Sequence, residues 1–169
     1  MFFGKNHLVL LVSTFWLSCG SSPKNLHVPV LFSDGMVIQR DTTVAIWGGS
    51  TPETNVYLYP SWGKSITIKS DKDGRWETYL ETTSDQNVHS LQIKSGKDKI
   101  FINDILLGEV WLASGQSNME MDFDYCCNST DSAQQVLSND IFNNIRMFNV
   151  KKRYSLHPSS DIDLSLIHI

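Results

Sequence analysis

Ser117 sits inside Gly115-Gln116-Ser117-Asn118-Met119, directly after the apolar run Gly108-Glu109-Val110-Trp111-Leu112-Ala113-Ser114. A glycine tolerates dihedrals closed to other residues, so the chain can leave a strand sharply just before the serine. The hydroxyl is then held above the sheet edge. If a helix starts there, its free N–H groups point into the same space. Such groups would stabilise the oxyanion of an acyl-transfer intermediate while Ser117 Oγ attacks the carbonyl. Glycine–serine turns are common, so the pentapeptide carries weight only with its context. A serine also needs a base to take its proton. The histidines are His7, His27, His89, His157 and His168, and none stands in a sequence context that directs it toward Ser117.

The elements around Ser117 supply part of that context. Ile105–Leu107 and Val110–Ala113 form a nearly continuous apolar stretch, which predicts a parallel strand covered on both faces. Thr130–Leu137 has helical composition, with Ala133, Val136 and Leu137 spaced along one face. Ile145–Val150 reads as a strand, which completes strand, helix, strand: the first βαβ unit of a parallel sheet.

Upstream, residues 28–102 follow a period of two. Ile66 and Ile68 alternate with Ser65, Thr67 and Lys69, and Leu91 and Ile93 with Ser90, Gln92 and Lys94, so one face points inward and the other to water. Val44–Trp47, Val56–Tyr59, Trp76–Leu80 and Ile100–Ile102 read as further strands. Turn signals at Thr51-Pro52, Pro60-Ser61-Trp62-Gly63, Asp73-Gly74 and Ser95-Gly96 separate them. Short strands at this spacing predict an antiparallel sandwich. Asp71-Lys72-Asp73-Gly74 is not an EF-hand, because Lys69 and Leu80 stand where acidic ligands are required. Asp-Gly there predicts a hairpin turn. Trp47 and Trp76 are expected in the sandwich core. Trp62, in its Pro-Ser-Trp-Gly turn, is the candidate substrate-binding aromatic, and it opens a second reading of the β region as a carbohydrate-binding module without catalysis.

The chain has 169 residues, a formal net charge of -4 and a pI near 5.6. That balance argues against a nucleic-acid partner, which requires clustered lysine and arginine; Lys151-Lys152-Arg153 reads as a solvated loop. Lys5 followed by the apolar Leu8–Leu17 is too short to span a bilayer but suits a signal peptide. Leu17-Ser18-Cys19-Gly20 has the order of a lipoprotein processing site, with Cys19 as the acylated residue. Trp16 occupies a position where an aliphatic residue is usual, so cleavage by an ordinary signal peptidase stays open. Export to the periplasm or outer membrane, or alternatively secretion, is expected, with membrane contact only through that lipid anchor. Adjacent Cys126 and Cys127 are badly placed to bond to each other and are too few for a zinc site. Asn128-Ser129-Thr130 matches a glycosylation sequon and is taken as incidental.

Gly108–Glu120 resembles the nucleophile segment of the sialate O-acetylesterase family, a branch of the SGNH hydrolases. Leu31–Arg40 with Val44–Gly48, Asp73–Trp76 and Ile145–Val150 are similar to the family's N-terminal β region, a hairpin and a later core strand. The resemblance implies an α/β protein: a β-sandwich-like region followed by the start of a three-layer SGNH hydrolase core. It implies that Ser117 is the nucleophile, with its own N–H as one oxyanion donor, acting on an acetylated carbohydrate without metal or organic cofactor. Members are several hundred residues long, with a catalytic aspartate and histidine near the end of the hydrolase domain, so this chain is expected to be an N-terminal fragment that hydrolyses acetyl esters poorly or not at all alone. Asp163–Ile169 departs from the family pattern. The expected organisation is a signal peptide over 1–18, a flexible tether over 19–27, the β region over 28–104 and the truncated hydrolase start over 105–169.

Overall fold

The computed structural model describes residues 26–117, 145–150, 156–157, 161 and 164–168. Seven strands come first: β1 (Val37–Gln39), β2 (Thr43–Gly49), β3 (Asn55–Pro60), β4 (Ile66–Lys69), β5 (Arg75–Glu81), β6 (His89–Ser95) and β7 (Asp98–Gly108). They form a five-stranded sheet in the order β1-β7-β6-β3-β4 and a two-stranded sheet of β2 and β5. A separate antiparallel pair joins β8 (Arg146–Val150) to β9 (Leu164–His168). The α/β hydrolase core expected of the full fold is not seen: no α-helix occurs among the described residues.

The alternation in the sequence is what builds the two sheets. In β3 every second residue is buried, and in β6 His89, Leu91, Ile93 and Ser95 face inward. Val56, Leu58, Ile93 and Ile105 are fully enclosed, and they share one core cluster with Ile46, Trp76 and Leu80 of the β2–β5 pair. Each such side chain contributes about 1.5–3 kcal/mol when taken fully out of water. The two sheets therefore close over a common apolar interior, as a sandwich does.

Three expectations change. First, Val110–Ala113 is not a strand: β7 stops at Gly108, and Trp111 and Leu112 are 87% and 93% exposed. An apolar run becomes a strand only where a neighbour takes up its backbone hydrogen bonds, and β1 supplies one only as far as the Gln39–Gly108 pairing. Second, Ile145–Val150 does form a strand, but it pairs antiparallel with β9 rather than in a parallel βαβ unit; the expected helix at Thr130–Leu137 lies outside the described residues. Third, the Asp73-Gly74 turn exists, with Gly74 at φ 80, yet it joins β4 of one sheet to β5 of the other and is not a hairpin. The boundary expected between residues 104 and 105 coincides with an irregularity of β7.

That last point has a local cause. Leu91 pairs with Ile102 and His89 with Ile105, so β7 carries one extra residue there. This is a β-bulge, which resets the in–out alternation. Asp104, in the bulge, has φ 55, a left-handed conformation uncommon outside glycine, asparagine and aspartate. Beyond it Ile105 and Leu107 face inward again, and the strand acquires a parallel partner in β1.

Candidate active-site segment

Ser117 lies nine residues beyond the end of β7 and is exposed. Upstream of it, side chains from the end of β1 hold the way β7 leaves the sheet. Arg40 N donates to Gly108 O at 3.0 Å, extending the β1–β7 ladder by one bond. The Gln39 amide then holds the next two residues: its Oε1 accepts from Val110 N at 2.9 Å, and its Nε2 donates to Glu109 Oε2 at 2.9 Å. Arg40 Nε donates to Glu109 Oε1 at 2.9 Å. Gln39 and then Arg40 hold the Glu109 carboxyl below its ordinary pKa, because both favour the ionised form. Residues 108–110 are thus anchored on both backbone and side chain, whereas residues 111–117 beyond them are exposed.

The bulge is anchored from the far side of the chain. Arg146, only 10% exposed, donates from Nη2 to Asp104 Oδ1 at 2.8 Å, and from Nη1 to Asp104 O and Met36 O. One guanidinium therefore ties β8 to β7 and to Met36, the residue just before β1. Gln39, Arg40, Glu109, Asp104 and Arg146 were not singled out from the sequence; their pairing depends on strands distant along the chain.

The structure does not bring the sequence candidates together. No described side chain hydrogen-bonds Ser117 Oγ. Cys19 lies outside the described residues. Trp62 is half-buried against the core, donates its Nε1–H to Glu81 O at 3.1 Å and meets the His89 ring edge-on at 5.6 Å. Trp76 is in the core, but Trp47, expected there, is 39% exposed. A serine–histidine–aspartate row does occur elsewhere: Ser61 Oγ lies 3.2 Å from His89 Nδ1, and His89 Nε2 is 3.6 Å from Asp85 Oδ2. Ser61 Oγ also accepts from Ser90 N at 3.0 Å, so the row fastens the end of β3 to the start of β6. Among the described residues, no group of three His, Cys, Asp or Glu side chains gathers to hold a metal.

Fold and segment together define a β-sandwich-like region whose last strand delivers an exposed serine segment. No family model matches the chain. It is 26% identical over 148 residues to the sialate O-acetylesterase of Mus musculus, covering 77% of this chain and 26% of that protein. To the human and Pongo abelii sialate O-acetylesterases it is 30% identical over 99 residues, covering 53% of this chain and 19% of each of them. Among solved structures it is similar to a novel carbohydrate acetylesterase from Xanthomonas citri, with a TM-score of 0.74 and 28% identity over 85% of this chain and 32% of that one. The chain is sialate O-acetylesterase-like, and it spans from 19% to 32% of the length of these relatives.

Proposed function

We propose that this chain is the N-terminal part of an exported serine esterase that removes O-acetyl groups from sugars. Ser117 is its nucleophile. The likeness to a carbohydrate acetylesterase at a TM-score of 0.74 carries the reading. In the complete α/β hydrolase, Val110–Ala113 would take the strand position that its apolar side chains favour, and the exposed Trp111 and Leu112 would be covered. Ser117 Oγ would attack the acetyl carbonyl, its own N–H would help hold the oxyanion, and an aspartate–histidine pair outside this chain would move the proton.

Turnover of an aryl acetate tests this on two proteins: the 169-residue chain and a longer protein that carries it. The longer protein is expected to be active and to lose at least about a thousandfold in kcat in Ser117→Ala. The chain alone is expected to stay at background. Robust activity of the chain that vanishes in Ser117→Ala would show that a base resides within these residues, and an active longer protein indifferent to Ser117→Ala would remove the nucleophile assignment. Export rests on the Leu8–Leu17 segment and Cys19; the mass of the mature N-terminus decides between an acylated Cys19 and ordinary cleavage.

A further inference from the structure

An open cleft of about 650 Å³ lies on the outward face of the β2–β5 pair. Trp47 pairs with Glu77 and Gly49 with Arg75, and alternation along the strands puts all four on that face. The cleft is lined by these residues together with His27, Asp71, Asp73 and Asp161. Trp47 is 39% exposed, and its ring plane is set by an edge contact with buried Phe32 at 4.8 Å. Gly49 has no side chain, which lets the His27 imidazole lie where a Cβ would otherwise stand. An exposed indole with a fixed orientation, beside room for a ring, is a stacking platform for a ligand with an apolar face.

The polar groups narrow the ligand further. Four carboxylates line the cleft, from Asp71, Asp73, Glu77 and Asp161, beside the Arg75 guanidinium and the His27 imidazole, and Asp161 Oδ1 accepts from Val30 N at 3.2 Å. Asp71 Oδ1 is already engaged by the N–H groups of Asp73 and Arg75 at 2.9 and 2.7 Å, whereas Glu77 accepts only the Tyr79 hydroxyl, at 3.1 Å. Glu77 thus keeps lone pairs for further donors. Carboxylates accept hydroxyl protons and repel anions, since like charges placed face to face are costly. A pyranose presents an apolar C–H face to an indole and hydroxyl donors around its edge. A negatively charged sugar would meet repulsion in the same place.

We infer that this cleft is a non-catalytic subsite for an uncharged sugar ring, so that the glycan handled by this protein is a neutral polysaccharide rather than a sialylated one. The inference rests on the reading of the protein as a carbohydrate esterase, and it names the substrate class. Isothermal titration of the 169-residue chain with xylohexaose, cellohexaose and sialyllactose tests it. Binding of at least one neutral hexaose is expected, weakened about tenfold or more in Trp47→Ala and measurably in Glu77→Gln, with no sialyllactose binding. Phe101→Ala, which removes another exposed aromatic, should leave binding unchanged. If Trp47→Ala does not fold, Glu77→Gln alone carries the comparison. Tighter binding of sialyllactose, no binding of either hexaose by the folded chain, or hexaose binding untouched in the folded variants would overturn the inference. Ser117→Ala separates the two readings: hexaose binding should survive it, so a failed esterase assay with intact binding counts against the catalytic reading alone.

Discussion

Gly74 and Gly49 make a matched pair of perturbations, because an added Cβ overlaps a neighbour closer than 3.0 Å at both positions. The overlaps differ in kind. At Gly74 the Cβ meets Ser50 O, a backbone atom, and the residue has φ 80. Ser50 is fully buried, and its N–H donates to Gly74 O at 2.8 Å, so the peptide cannot retreat without breaking a hydrogen bond. Forcing alanine into a left-handed conformation costs about 1–2 kcal/mol, and loss of the bond about 0.5–1.5 kcal/mol. The stiffer unfolded chain offsets about 0.4–1 kcal/mol, leaving Gly74→Ala destabilising by about 0.5–3 kcal/mol. At Gly49 the Cβ meets the ring end of His27, which can swing aside, and alanine in a strand recovers roughly 0.5–1 kcal/mol over glycine. Gly49→Ala should therefore fall within about 1 kcal/mol of the parent. Urea denaturation reads both: with m of about 1–3 kcal/mol/M, Gly74→Ala lowers the midpoint by roughly 1 M at unchanged m. Equal or greater loss at Gly49 would refute the distinction between a backbone obstacle and a movable side chain.

Two further predictions concern the anchors at the bulge and at the end of β7. Arg146→Met should cost about 1.5–3 kcal/mol, the range for hydrogen bonds to a charged group, and should speed amide hydrogen exchange at 103–106; unchanged exchange there would mean that the guanidinium does not hold the bulge. Glu109 has a folded pKa below its ordinary value of 4.5, so its contribution is present above that value and is lost as pH falls through the folded pKa. A carboxyl NMR titration should place Glu109 below 4.5 and move it up in Gln39→Ala; an undepressed value would show that the clamp does not form in solution.

The strands of the β region could be read from composition because each buries one face, and a period of two records that choice directly. The Asp73-Gly74 turn was legible for a similar reason: positive φ is a property of the residue itself. Which strands a turn connects is not, and the structure sends this one between sheets. Ser117 could be identified as a candidate from a glycine-led segment, but Arg146 and Asp104 carry no local signal, because a guanidinium reaching across the chain depends on where two distant strands meet. The tryptophans divide in the same way. Their number suggests a core and a platform; which one faces water followed from the β2–β5 register, which buries Trp76 and exposes Trp47.

By itself, then, the order of residues determined the local preferences of this protein: where strands run, where the chain bends, and that a hydroxyl follows a glycine after an apolar run. Only the tertiary structure decided the partners. It placed the bulge at Asp104, ended β7 at Gly108 where β1 gives out, and gathered the carboxylates around Trp47. Backbone preference acts over a few neighbouring residues, whereas hydrogen bonds, charge and burial act through space between segments far apart in the chain.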